Sequence, residues 1–109
     1  MNERLPSHVE VSAIMRRVEA EGGFATMLRR GDPDRGAVVL YIQKRGDFCG
    51  ILERELGPNF TYDWVFKTDG SETLGDLIAR KSRFDPDFWL IELDVAEPER
   101  FIAETTGSG

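Results

Sequence analysis

The run FWLIEL, Phe88 to Leu93, is the feature of this sequence that most restricts its fold. Five of its six residues are apolar, whereas a strand with one face in water alternates apolar and polar residues. The run therefore predicts a strand that is covered on both faces. A helical pattern precedes it, so we expect this strand to pair parallel to a neighbour or to insert between other strands.

Four further strands are expected before this run, joined by links of hairpin length. The link GDPDRG reads as an antiparallel hairpin turn, in which Pro33 presets the first backbone angle and Gly36 is able to take a positive φ. The fourth strand alternates, and its pattern predicts a core face made of aromatic side chains. These side chains are Phe60, Tyr62, Trp64 and Phe66.

The sequence also contains segments whose apolar residues recur at helical spacing. The segment SHVEVSAIMRRVEAEGG predicts a first helix, with Ser7 and Glu10 as a capping box. A second helix is expected before Asp85, and a short third one near Pro98. The sequence thus predicts one α+β domain over residues 1–104, followed by a flexible tail, 105–109. Its mostly antiparallel five-stranded sheet would carry the two main helices on one face, with the short helix at the C-terminal end.

Composition limits the classes of function. A net charge of −6 repels phosphate backbones, so we expect no nucleic-acid partner. The sequence predicts neither a secretion signal nor a membrane span, and its one cysteine, Cys49, forbids an intramolecular disulfide. A cytoplasmic location follows as an expectation.

The turn between the second helix and the last strand contains paired carboxylates, Asp85 and Asp87. Such a pair suits acid–base chemistry or a divalent cation, but Asp-Pro-Asp is also ordinary turn chemistry, with the carboxylates binding backbone N–H groups. Asp32 and Asp34 repeat the pattern in the predicted hairpin. We favour the structural interpretation for both turns.

Arginine provides the other candidate site. Arg29 and Arg30 end one strand, and Arg80 and Arg83 lie near the end of the second helix. If these ends meet, they form a cationic notch for a carboxylate or a phosphate; otherwise they are a solvated surface. The hypothetical anion site consists of Arg30, Arg83, Asp85 and Asp87.

No further group suggests chemistry. His8, the only histidine, is expected on the surface, and Cys49 in the core. Too few cysteines and histidines are present for structural zinc, and no phosphate-binding loop or nucleophile motif occurs. We therefore expect no catalytic residue, no metal and no cofactor.

Two segments, LRRGDPDRGAVVL and RKSRFDPDFWLIELD, resemble a bacterial family known as domain of unknown function 1491. The resemblance runs from about residue 9 to about residue 103, and its most specific parts are Arg83 to Glu92 and Arg29 to Asp32. Residues 44–70 match loosely, and after Asp94 only Phe101 corresponds. The resemblance implies a small cytoplasmic bacterial protein, and it implies no activity or catalytic residue.

Two functions remain open. The first is a non-enzymatic protein-interaction module that forms a homodimer or binds an unknown protein, with FATMLRR or FTYDWVF as the pairing strand. The alternative is a small-molecule or anion-binding protein, with weak hydrolase or transferase activity, at Arg30, Arg83, Asp85 and Asp87. Nucleic-acid binding through the more basic first half is the weakest hypothesis.

Overall fold

The computed structural model describes residues 5–68 and 73–107. The helices and strands of these residues follow in the order α1 (Ser7–Ala20), β1 (Phe24–Arg29), β2 (Val38–Lys44), β3 (Asp47–Leu56), β4 (Tyr62–Lys67), α2 (Leu74–Phe84), β5 (Trp89–Asp94) and α3 (Pro98–Thr106). No helix within these residues is long and apolar enough to cross a membrane. The domain boundary at residue 104 stays a prediction, although α3 continues through the first two residues of the predicted tail.

The sheet has the strand order β1-β5-β2-β3-β4. β5 lies between β1 and β2, antiparallel to the first and parallel to the second, as the run FWLIEL predicted. The prediction of a hairpin at residues 31–36 is wrong, because β5 separates the two strands that this link joins. The sheet is therefore mixed, and the expectation of a mostly antiparallel sheet is corrected.

Both faces of the sheet are covered by helices. On one face α1 and α3 pack against Leu40, Ile42 and Ile91, among other buried residues. On the other face Leu77 of α2 packs in a separate cluster with Leu90. The prediction that both main helices share one face is not confirmed. Trp89, Leu90 and Ile91 are consecutive in β5, point alternately to opposite faces and are all buried, so a helix is needed on each side.

Two consecutive residues of β3 form ion pairs with helices on opposite faces of the sheet. Arg54 forms an ion pair with Glu10 of α1, and its guanidinium carbon lies 4.3 Å from the centre of the Trp64 ring. Glu53, on the opposite face, forms an ion pair with Lys81 of α2. Because adjacent strand residues point in opposite directions, the two pairs hold α1 and α2 on different sides of the same strand.

The end of β5 stabilises the turn between β2 and β3. Arg45 and Gly46 form this two-residue turn with φ values of 52° and 84°, which are typical of a type I′ hairpin. The carboxylate of Asp94 accepts hydrogen bonds from both of their backbone N–H groups, at 2.9 and 3.0 Å. This contact fixes the position of β5 relative to the β2–β3 hairpin.

Candidate functional site

The two Asp-Pro-Asp segments meet in one place, which we call the loop junction (residues 31–37 and 85–88). The backbone N–H of Asp32 donates to the carbonyl of Asp87 at 2.9 Å. The indole N–H of Trp89 donates to the carbonyl of Asp32 at 2.7 Å. The backbone N–H of Trp89 donates to the carbonyl of Ala37, also at 2.7 Å. The segments that carry the sequence motifs are therefore joined by backbone hydrogen bonds.

Two of the four carboxylates of the loop junction, those of Asp32 and Asp85, bind backbone groups. Asp85 accepts from the N–H of Asp87 at 2.9 Å and from the N–H of Ala37 at 3.3 Å. Asp32 accepts from the N–H groups of Asp34 and Arg35 at 3.1 and 2.8 Å. This is the bonding that the structural interpretation of these turns predicted. One member of the hypothetical anion site, Asp85, thus has both carboxylate oxygens engaged.

The glycines of the loop junction permit the close approach of the two segments. A Cβ atom on Gly36 would lie 2.9 Å from the indole nitrogen of Trp89, and one on Gly31 would lie 2.6 Å from Cδ1 of the same ring. Both atoms would come closer still to the carbonyl oxygen of Asp87. The prediction of a positive φ at Gly36 is wrong, and the reason for glycine there is space.

The start of α1 also binds the loop junction. Ser7 is buried, and its hydroxyl donates to the carbonyl of Gly36 at 2.6 Å. The predicted capping box is wrong, because Pro6 occupies the N-cap position and no side chain caps this helix. Glu10 instead forms the ion pair with Arg54.

The arginines of the predicted notch have different surroundings. Arg29 donates to the carbonyls of Pro86 and Phe88, each at 2.7 Å, and its guanidinium stacks on the Phe88 ring at 4.4 Å. Arg30 lies over the Trp89 ring at 5.6 Å. Arg83 is exposed in the last turn of α2, and within residues 5–68 and 73–107 its side chain makes no hydrogen bond or ion pair. Arg29, left out of the hypothetical site, is the arginine that binds the Asp-Pro-Asp turn.

A groove lies beside the loop junction, between the end of α2, the first residues of β2 and β4 and the second half of β3. We call it the aromatic groove. Its volume is about 290 Å³, and its lining includes Val39, Glu53, Tyr62, Lys81, Phe84 and Phe88. Tyr62 and Phe84 are 60% and 83% exposed to solvent, whereas Phe88 is buried. The groove is thus lined by both apolar and charged residues, and two of its aromatic side chains are exposed.

Charged groups in and near the groove are paired. Glu53 lies between Lys81 and Lys67, with the Lys67 ammonium 3.7 Å from its carboxylate. Lys67 also forms an ion pair with Glu55. The hydrogen bond between Lys67 and Glu55 lowers the pKa of Glu55 and raises the pKa of Lys67, since each group stabilises the charged form of the other. The groove therefore has a local ion-pair network beside its aromatic rim.

The β3–β4 hairpin extends the apolar surface beyond the groove. Leu56 lies directly opposite Tyr62 in the sheet and is exposed, and Phe60 at the turn is 85% exposed. Trp64 and Phe66 pack against the core, as the predicted aromatic face required, but Phe60 and Tyr62 do not. The alternating pattern could not reveal this, since it assigns a side chain to a face without saying whether that face is covered there.

Phe60 has a left-handed backbone, with a φ of 59°. We expect Phe60→Gly to raise the free energy of unfolding by about 1 kcal/mol, because glycine has no Cβ to oppose this conformation. Phe60→Ala is the matched control. It removes the same exposed ring, keeps the Cβ and should give no such gain. Thermal denaturation checks both, and equal stability of the two variants would contradict the role assigned to the backbone.

The remaining candidates do not form a reactive group. His8 is exposed, as predicted, with Nδ1 3.0 Å from the carbonyl of Pro33. Cys49 is partly buried and packs against the α1 side of the core. Among the described residues, no three side chains of His, Cys, Asp or Glu lie together in a way that could hold a metal ion.

Comparison with known proteins identifies a family. The family described as protein of unknown function (DUF1491) matches residues 5–103. A crystal structure of a DUF1491 family protein from Caulobacter crescentus CB15 has a TM-score of 0.70 and 29% identity, over 85% of this chain and 90% of that one. An NMR structure of a DUF1491 family protein from the same bacterium has a TM-score of 0.68 and 30% identity, over 86% and 88%.

The solution structure of protein Atu0922 from A. tumefaciens is also similar, with a TM-score of 0.64 and 28% identity over 85% of this chain and 87% of that one. No curated protein matches the sequence. The family match covers most of the chain and includes both segments of the loop junction. The chain therefore belongs to the DUF1491 family, as the residues around its two Asp-Pro-Asp turns indicated.

Proposed function

We propose that this protein is a non-enzymatic, cytoplasmic interaction module that binds a segment of another protein at the aromatic groove. The observation that carries the proposal is the exposure of Tyr62 and Phe84 on the rim of one groove. Large apolar side chains that are exposed next to one another are typical of surfaces that bind other proteins. Aromatic residues in particular are enriched in protein interfaces, because each buries a large area with few rotatable bonds.

The shape of this surface favours a protein segment over a small molecule. Small-molecule pockets usually enclose roughly 300–1,000 Å³ and bury most of their ligand. The groove, at about 290 Å³, lies at the lower end of this range, and exposed apolar side chains continue from Tyr62 onto Leu56 and Phe60 of the hairpin. An apolar side chain of a partner would lie between Tyr62 and Phe84, while the flanking chain of the partner covers the hairpin.

The surroundings of the titratable groups support a binding role. Asp32 and Asp85 accept backbone hydrogen bonds, and Glu53 is paired with lysine. A general base needs a carboxylate that is able to accept a proton from a substrate. In the loop junction these oxygens already bind the N–H groups that hold the turns together.

The test is affinity purification from the native host with quantitative mass spectrometry. We expect a protein partner to be retained by the wild type and reduced at least tenfold by Tyr62→Ser combined with Phe84→Ser. Leu5→Ser is the control, because it also replaces an exposed apolar side chain but lies outside both the groove and β1. Equal recovery with the double variant, or no partner with the wild type, would refute the proposal.

The alternative proposal is an anion site at Arg30, Arg83, Asp85 and Asp87. The exposed guanidinium of Arg83 favours it, since this group has no anionic partner among the described residues. Isothermal titration of the protein with inorganic phosphate and with a dicarboxylate tests it. Saturable binding that Arg30→Gln and Arg83→Gln abolish would support an anion site, and the absence of heat would rule it out for these ligands.

A further inference from the structure

The strand β1 forms one edge of the sheet and is poorly protected against pairing with another chain. It pairs with β5 on one side, and no strand of the described residues pairs with its other side. Edge strands are usually protected by charged residues, by proline or by a bulge, because their free N–H and C=O groups are able to bind a further strand. The stretch Phe24 to Leu28 contains neither a charge nor a proline.

The opposite edge of the sheet provides a comparison within the same molecule. β4 carries Asp63 and Lys67, so charges occur along this edge strand. In β1 the only irregularity is a shift of register between Met27 and Arg29, at the end of the strand. The four residues before it pair regularly with β5. β1 is therefore the edge that is able to accept another strand.

Exposed apolar side chains lie along both faces of β1. Phe24 is 73% exposed and lies opposite Asp94, on the face that α2 covers elsewhere. Met27 is 38% exposed and lies opposite Ile91, on the other face. A strand added at this edge would cover both side chains while it satisfies the free backbone groups.

The charges that flank β1 identify the kind of partner. Glu21 precedes the strand and Arg30 follows it, and both are exposed. In an antiparallel pair of two identical strands, the acidic start of each lies beside the basic end of the other. The edge is thus complementary to itself, as an interface with two-fold symmetry requires.

We infer that two copies of this chain pair through β1, antiparallel, and join their five-stranded sheets into one continuous sheet. With the two-fold axis at Thr26, side chains on the same face meet, so Ala25 lies opposite Met27 of the partner subunit. Phe24 lies opposite Leu28 of the partner subunit, and Glu21 lies opposite Gly31 of the partner subunit, next to Arg30 of the partner subunit. This inference does not depend on the aromatic groove, because no residue of β1 lines the groove.

Sedimentation equilibrium over a wide range of protein concentration tests the dimer. We expect the wild type to reach the mass of a dimer, and Thr26→Lys to remain a monomer because each copy would place a lysine on the symmetry axis. The melting temperature of Thr26→Lys should stay within a few degrees of the wild type, because Thr26 is exposed. Phe84→Ser should still form the dimer.

A charge exchange tests the register and the self-complementarity. We expect Glu21→Arg and Arg30→Glu each to raise the dissociation constant about fivefold or more, and the double variant to restore it, because the opposite charges then meet again. Added salt should weaken the wild-type dimer. A wild type that stays monomeric at every concentration, a Thr26→Lys variant that still dimerises, or a double variant that is not restored would overturn the inference.

Discussion

Gly36→Ala is expected to lower the free energy of unfolding by about 3 kcal/mol, because it inserts a methyl group where two chain segments touch. The new Cβ would lie 2.9 Å from the indole nitrogen of Trp89 and closer still to the carbonyl oxygen of Asp87. Neither neighbour is the end of a flexible side chain. The Asp87 carbonyl accepts from Asp32, and the Trp89 indole is buried and donates to the Asp32 carbonyl.

Relief of this clash requires the two segments of the loop junction to separate. Their separation weakens the hydrogen bond from the Asp32 N–H to the Asp87 carbonyl and leaves buried polar groups without partners. It also moves the start of β5, which is the central connection between β1 and β2. We therefore expect the effect on the whole fold, as a single cooperative transition at lower temperature.

Thermal and chemical denaturation measure this effect. A loss of about 3 kcal/mol corresponds to a fall in melting temperature of roughly 12 °C or more in a domain of this size. Gly75→Ala is the matched control, because Gly75 lies in the first turn of α2 and the atom nearest to its Cβ position, Oγ1 of Thr73, is 4.0 Å away. Alanine should stabilise α2 there by up to about 1 kcal/mol. A Gly36→Ala variant as stable as the wild type would show that the segments are not in contact.

Of the five strands, β5 could be predicted best from the sequence. An apolar run of this kind requires cover on both faces, and the structure provides it with α1 and α3 on one side and α2 on the other. The same run already contradicted the expectation of helices on one face only. That expectation came from the strand count and connection lengths, which describe neighbours along the chain and leave the choice of face open.

The failed hairpin has a related cause. GDPDRG has the composition of a tight turn, and its Asp32 does accept two backbone N–H groups of the turn. Local composition specifies the turn but not which strands pair after it. β5 begins at Trp89, 53 residues beyond Gly36, and enters between β1 and β2. Nothing within residues 31–36 indicates such a distant strand.

For the candidate site, the sequence correctly identified the two segments that form the loop junction, but it did not reveal the groove beside them. The Asp-Pro-Asp turns were expected to be structural, and the carboxylates of Asp32 and Asp85 do bind backbone groups. The aromatic groove was missed. Phe84 served only as a sign of the end of a helix and Tyr62 as a core residue, although a phenylalanine between Arg83 and Asp85 is unusual for a solvated helix end.

Lys81→Met is expected to lower the free energy of unfolding by about 3 kcal/mol, because it leaves the buried carboxylate of Glu53 without its main partner. The side chain of Glu53 is only 9% exposed, and that of Lys81 only 19%. Lys67 remains 3.7 Å from the same carboxylate, but its side chain is 44% exposed and it already binds Glu55. Lys67 therefore reduces the loss without removing it.

The double variant Glu53→Leu with Lys81→Met is expected to recover most of this loss. A buried ion pair contributes little net stability once the cost of removing two charges from water is included, so two apolar side chains of similar size replace it nearly without loss.

The exposed pair of Arg100 and Glu104 provides the control, and Arg100→Met should leave the melting temperature almost unchanged. Urea denaturation of the wild type, both single variants at residues 53 and 81 and the double variant gives the coupling energy between the two side chains. If Lys81→Met were as harmless as Arg100→Met, the Glu53 carboxylate would have to reach water. α2 would then not cover this face of the sheet as closely as the buried side chain of Leu77 requires.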